Sequence, residues 1–293
     1  MSSALTRFGR LGLAYIFTAT GLWLLVLMLL PLIVTIDYAF RPFLPPVDWG
    51  GPNDRYTFDN FAVVLLNKFN QTIFLKTIWA SVLVTVLSLA ACYPVAYTLA
   101  REKRSGRARW LAIALIIPFL VNELLRAFAW QLLLSYKGLF NQVLMSLGFI
   151  SEPFDFINKN VGVIVGLVYT YLLFMILPLY TALESLDPNL VDAARDLGAP
   201  WWRIHWDVVL PHAKPGLANG CIVTFMLAAG SFAVPQLLGG TGSLWFTQLI
   251  YNQFNAINWN MGAAYAFCLV ILCLVFIVIV MWLLRVRLSD IAR

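Results

Sequence analysis

The chain is poor in charge. Only 12% of its 293 residues are Asp, Glu, Lys or Arg, whereas 61% are hydrophobic. A soluble domain carries about 25% charged residues, so a soluble globular fold is excluded and long apolar runs must face lipid. Histidine is scarce too. His205 and His212 are the only two, seven apart in one loop with no third ligand at useful spacing, which argues against a metal site. The four cysteines, Cys92, Cys221, Cys268 and Cys273, fall inside apolar runs, so packing rather than disulfide or metal chemistry is expected of them. No lysine follows a glycine. The phosphate-cradling loop G-x-x-x-x-G-K-[ST] is therefore missing, and any ATPase must be another polypeptide. The GGTGS run at 239–243 has no preceding strand and does not read as a nucleotide fingerprint. No Ser/His/Asp grouping points to hydrolysis, so the chain is not expected to be an enzyme. A net charge of +6 would hint at nucleic acid in a soluble protein. In a membrane protein, basic loops on the cytoplasmic side account for it.

What is present is a series of apolar runs. The expected fold is all-α: a polytopic membrane protein with six transmembrane helices, over residues 12–36, 73–100, 110–134, 161–183, 213–236 and 262–285, in a single transmembrane domain spanning 1–293. A transmembrane barrel would show short alternating segments instead. The first run, LAYIFTATGLWLLVLMLLPLIVT, is too long for a signal peptide's apolar core and is expected to be retained. Most of the 20 basic residues fall on one side: Arg7 and Arg10, then Arg101, Lys103, Arg104, Arg107 and Arg109, then Arg195, Arg203 and Lys214, then Arg285, Arg287 and Arg293. Both termini are therefore expected in the cytoplasm. Pro31, Pro94, Pro118, Pro178 and Pro235 lie within spans, where each removes a backbone donor and can kink its helix.

One loop between spans four and five differs from its surroundings. In residues 187–211, Asp187 and Pro188 read as an N-cap followed by proline at the first helical position. Leu190, Val191, Ala194 and Leu197 fall on one side of the helix that follows. Gly198 is expected to close it in a left-handed cap, and Pro200 to start a second short helix ending near Leu210-Pro211. Ala193, Ala194 and Gly198 are small enough to let another surface approach. A lipid-surface anchor would be rich in Lys and Arg on its polar face. Asp192 and Asp196 stand there instead, so protein contact is the better reading.

At these residues the chain resembles the permeases of binding-protein-dependent ABC importers. Their loop reads E-A-A, three residues, G, nine residues, I, one residue, L-P. Asp192-Ala193-Ala194, Gly198, Val208 and Leu210-Pro211 keep that spacing throughout, with Asp for Glu and Val for Ile. The segments AYTLAREK, NELLRAFAW, KGLFNQVLMSLGFI, LVYTYLLFMILPLYTALESLDPNLVDAARDLGA and FAVPQLLGG are similar to the spermidine/putrescine permease branch, in its first permease subunit. The resemblance implies the type I importer fold in a bacterial inner membrane, with a coupling helix that docks on an ATPase dimer. It implies a second, distinct permease subunit, an extracytoplasmic solute-binding protein and a small cationic solute. ATP-Mg would be held by the ATPase subunits, with no cofactor in this chain.

Glu123 departs from the pattern, which has a small polar residue after Asn122. Intramembrane carboxylates are costly and face the bundle interior or a wet cavity. Two readings stay open. Glu123 either meets a cationic solute or pairs with Arg126 on one helix face. Asn122 and Arg126 are further candidate linings of an amine route, with Trp130, Tyr169, Phe128 and Tyr171 offering it cation–π contact. The competing class is a self-contained ion-coupled carrier or channel. It would need a coupling-ion site with paired carboxylates in broken helices, and Glu123 is the only carboxylate deep in an expected span.

Overall fold

The computed structural model describes residues 2–101, 106–240 and 243–287. Lys103, Arg104, Arg293 and part of the GGTGS run lie outside the described residues. Within the described residues all regular structure is helical. α1 (Ser2–Leu24) passes through a π-helical turn (Leu25–Leu29) into α2 (Leu30–Ala39), and α3 (Asp59–Leu66), α4 (Lys68–Arg101) and α5 (Gly106–Ile116) follow. A 3-10 turn (Ile117–Leu120) leads to α6 (Glu123–Leu134), α7 (Leu139–Ser146), α8 (Asn160–Glu184), α9 (Pro188–Asp196) and α10 (Trp201–Ile204). A second π-helical turn (His205–Val209) opens into α11 (Leu210–Gly230), followed by α12 (Ala233–Leu238), α13 (Phe246–Asn255) and α14 (Trp259–Leu284).

Four segments are long and apolar enough to cross a bilayer: Ala14–Ala39, Lys68–Arg101, Asn160–Glu184 and Trp259–Leu284. They correspond to expected spans one, two, four and six. The third expected span is broken. Ile113–Leu120 and the helical stretch from Glu123 meet at a bend of 100°. Pro118 withholds a backbone donor, and Asn122 turns extended at ψ 143° while its side chain accepts from the Leu124 N–H at 2.8 Å. That N-cap starts a new helix rather than continuing the old one. The fifth expected span is also revised. α11 begins upstream at Leu210 and stops at Gly230, and Ser231 is extended at ψ 131° before α12 begins. Lys214, Pro215, Asn219 and its glycines dilute its apolar character. The described residues thus hold four such helices, or five if the bent pair is one span, so the expected count of six is not confirmed.

The chain divides into two compact units, Met1–Lys68 with Leu249–Cys268, and Phe69–Gln248 with Leu269–Arg293. In the first unit every residue from Ala14 to Val34 is exposed, as befits side chains meant for lipid or another subunit rather than an internal core. The free carbonyls that end α2 are satisfied by two buried amides. Asn60 donates to Ala39 and Arg41 at 3.0 and 2.8 Å, and Asn260 to Tyr38 and Arg41 at 3.2 and 3.0 Å. Arg41 bridges Asp37 at 2.8 Å and Asp54 at 2.9 Å. The Gly50 N–H, then Arg41, hold the Asp54 carboxyl below the usual carboxylate range.

The second unit is built on α8 and α11. Gly216 lets α11 approach so closely that a Cβ there would strike the Pro178 carbonyl and the Ala182 methyl. Gly220 does the same against the Met175 sulfur, 2.9 Å from where its Cβ would stand. Small residues at helix crossings are the usual device where lipid supplies no hydrophobic drive. Phe225 of α11 stacks on Phe276 of α14 with ring centroids 3.6 Å apart.

Candidate functional site

Two places in the second unit carry the residues singled out by sequence. The first is the segment 187–211. Asp187 caps α9 by accepting from the Asn189 N–H at 3.0 Å, with Pro188 in the first turn. At the other end Gly198 takes φ +77°. Its N–H reaches the Arg195 carbonyl at 2.9 Å, and the Ala199 N–H reaches Ala194 at 3.1 Å. This pair of bonds is the Schellman closure. The expected second helix does not end at Leu210-Pro211. It runs on through the π-helical turn into α11, because the wider turn absorbs the donor missing at Pro211.

The motif residues divide by the direction they face. Ala194 and Val208 pack against the chain's own core beside buried Val191, Ile204 and Val209. They fix the segment against that core. Leu210 is half-buried, whereas Asp192, Ala193, Gly198 and Pro211 are exposed. Around them stand apolar side chains with no cover of their own: Leu197 is 88% exposed, Trp201 75% and Trp206 68%. Sequence spacing grouped Leu190 and Leu197 with Val191 and Ala194 on one side of the helix, but Leu190 and Leu197 are exposed.

α4 holds this segment from behind. The Tyr93 hydroxyl lies 2.6 Å from His205 Nδ1, and the Tyr97 ring lies 4.6 Å from the imidazole. Arg101 donates to the Tyr97 hydroxyl at 3.2 Å. Burial first, then the Arg101 charge, push the His205 imidazole below its ordinary range. His212 turns elsewhere, to the Ser185 hydroxyl at 2.9 Å. This bracing by Tyr93 and Tyr97 had no signal in the sequence.

The second place is the broken span. Glu123 opens α6, where its charge suits the positive helix end. It does not pair with Arg126 among the described contacts. The carboxylate accepts from the Tyr171 hydroxyl of α8 at 3.0 Å. Arg126 is buried, with its guanidinium 4.7 Å from the Phe119 ring and one nitrogen donating to the Thr170 carbonyl at 3.4 Å. The i,i+3 pair is thus replaced by two separate attachments to α8, because the bend at Asn122 brings that helix within reach. Asn122 is spent on capping. Trp130 and Tyr169 face one another edge to face at 5.3 Å, and Phe128 is exposed.

Residues 108–287 match the model of a family described as the binding-protein-dependent transport system inner membrane component. The chain belongs to this family. It is thus a transport permease component and a multi-pass membrane protein. It is 32% identical to the spermidine/putrescine transport system permease protein PotB of Haemophilus influenzae, with 91% of this chain and 90% of that protein aligned. It is 35% identical to PotB of Escherichia coli K12, over 87% and 91% of the two chains. The inner membrane ABC transporter permease protein YdcU of the same strain is 34% identical, over 87% of each. Among solved structures, a chain of a bacterial ABC transporter involved in import of the acidic polysaccharide alginate superposes with a TM-score of 0.69 at 18% identity, covering 97% of both chains. That likeness establishes the importer-permease fold.

Proposed function

We propose that this chain is one permease subunit of an ATP-driven importer of small cationic amines, with spermidine and putrescine as the first candidates. The observation that carries the reading is the 32% and 35% identity to two PotB permeases across most of both chains. A second, distinct permease completes the pathway, two ATPase subunits hold ATP-Mg, and an extracytoplasmic binding protein delivers the solute. Both termini face the cytoplasm in this reading, as the Lys and Arg distribution favours.

The segment with Asp192, Ala193, Ala194, Gly198, Val208, Leu210 and Pro211 is the coupling element. Exposed Leu197, Trp201 and Trp206 support this role, since such aromatic anchors suit a docked surface. ATP binding closes the ATPase dimer and draws the coupling helices together, and the cavity turns from outward to inward. Only a segment that contacts the two ATPase states differently can transmit that work. On the solute side Glu123 offers a carboxylate to a cation. Asn122 and Arg126 shape the break that presents it, and Trp130 and Tyr169 supply aromatic faces.

Co-purification in mild detergent, with mass spectrometry of what is retained, tests the assembly. Recovery of an ATPase, a second permease and a soluble binding protein is expected, and that binding protein should then retain polyamines. Recovery of this chain alone, active in liposomes without ATP, would overturn the reading in favour of an ion-coupled carrier.

A further inference from the structure

Two helix breaks and one unbroken helix meet at Tyr171. This residue lies eleven positions from the start of α8 and thirteen from its end, so it sits at the middle of a candidate span. Its side chain is 5% exposed. On one side is Glu123, the first residue after the 100° bend. On the other the phenol faces the side chain of Ser231, which ends α11 at the second break. Irregular backbone at membrane depth is tolerated where it is buried in protein or lines a cavity, and transporters place binding sites at such breaks.

The hydrogen-bond inventory at this node is incomplete. Tyr171 spends its only proton on Glu123, which orients the carboxylate and leaves the phenol oxygen as an acceptor. The Ser231 hydroxyl is also 95% buried and, beyond its approach to the Tyr171 phenol, has no partner, although its backbone carbonyl accepts from Thr247 at 2.7 Å. Leaving a buried hydroxyl unpaired is costly. Arg126 does not fill the gap: its guanidinium is drawn away to Phe119 and the Thr170 carbonyl, and its Nε bonds to none of these oxygens. What remains is three oxygens from three elements, one of them charged. A primary ammonium presents three N–H donors and no acceptor.

We infer that Glu123, Tyr171 and Ser231 form a seat for one primary ammonium group of the transported amine, with Tyr171 positioning the carboxylate. The inference rests on the amine-importer reading above, and it adds Ser231 and the Tyr171 hydroxyl to the pathway. A seat of this kind discriminates by N–H donors, so a permethylated amine of the same charge is a poor ligand.

The test uses the purified complex of both permeases and the ATPases. Equilibrium binding of radiolabelled spermidine is measured against its N-permethylated analogue, and uptake into liposomes is followed with the binding protein added. Wild type should bind spermidine saturably and prefer it to the analogue. Tyr171→Phe and Ser231→Ala should each weaken spermidine binding about tenfold, as expected for a lost hydrogen bond to a charged group, and narrow the preference while the complex stays assembled. Both changes keep the side-chain volume nearly constant, so they remain informative if Glu123→Gln fails to assemble. Variants that bind and discriminate like wild type would overturn the seat, as would a wild type that imports spermidine without binding it saturably in this complex. A wild-type complex that imports no amine at all would remove the amine reading itself, and the seat with it.

Discussion

The proposed coupling segment and the node at Glu123 lie in the same compact unit, yet they are held by opposite means. The coupling segment is shaped locally: an Asp cap at one end, a left-handed glycine at the other, and a single inward edge of Val191, Ala194 and Val208. Its outer surface is exposed and rich in aromatic groups. The node has almost no local logic. Glu123, Tyr171 and Ser231 are scattered along the chain and meet only because α6, α8 and α11 converge. The first region presents apolar surface to the outside, and the second buries polar groups with unfilled bonding capacity. A surface of the first kind suits a protein partner, and a cluster of the second kind suits a small polar ligand.

The largest effect that would break this contrast is at Gly198. Gly198→Trp should abolish ATP-driven uptake, and ATPase activity should lose its dependence on the loaded binding protein, with little change in the melting temperature of the free permease. A Cβ at this position meets nothing within 4 Å, so the added bulk starts into open space and the cost to the free permease is that of the left-handed backbone. Gly198→Ala separates the backbone cost, about 1 kcal/mol for a non-glycine residue in the left-handed region, from the steric one. Normal uptake by the Trp variant would sink the coupling role. Next in size is Gly216→Val. Here the added carbons strike the Pro178 carbonyl and Ala182, and overpacking of about 1–3 kcal/mol should appear as a lower melting temperature and poorer yield of complex. An unchanged melt would mean that the α8–α11 crossing relaxes easily.

Smaller still is Glu123→Gln. The amide keeps an acceptor for Tyr171, so assembly should be unchanged while amine uptake falls about tenfold for the loss of a charge-assisted contact. Unchanged uptake would reduce Glu123 to a structural partner of Tyr171. The smallest expected effect is a pH dependence at His205. Its folded value lies below the ordinary 6.5, chiefly through burial. The unfolded chain therefore takes up the proton first as pH falls. The contribution of the neutral, buried imidazole is present above about pH 6.5 and declines as pH drops through the folded value. Melting temperatures from pH 8 to 5 should show this decline in wild type, and a flatter one in His205→Gln.

Much of the coupling segment was legible because its signals lie within one or two turns. Asp187, Pro188 and Gly198 each act on the backbone beside them, so caps and spacing can be read without the fold. The inward and outward faces were less legible. Helical periodicity grouped Leu190 and Leu197 with Val191 and Ala194, but only the last two find core to pack against. The third and fifth spans were read as continuous because their apolar runs are continuous. Hydropathy does not register that Asn122 caps a new helix or that Ser231 turns extended.

By itself the sequence determined the class of molecule: a charge-poor, helical membrane chain with one polar, capped loop in the spacing of importer permeases. These are properties of composition and near neighbours, and they survive without any tertiary contact. The tertiary structure alone decided the pairing of Glu123 with Tyr171 rather than Arg126, the withdrawal of Arg126 to Phe119, and the bracing of His205 by α4. Each depends on side chains brought together from distant parts of the chain, where the competition for a buried charge or hydroxyl is settled by which helices pack side by side.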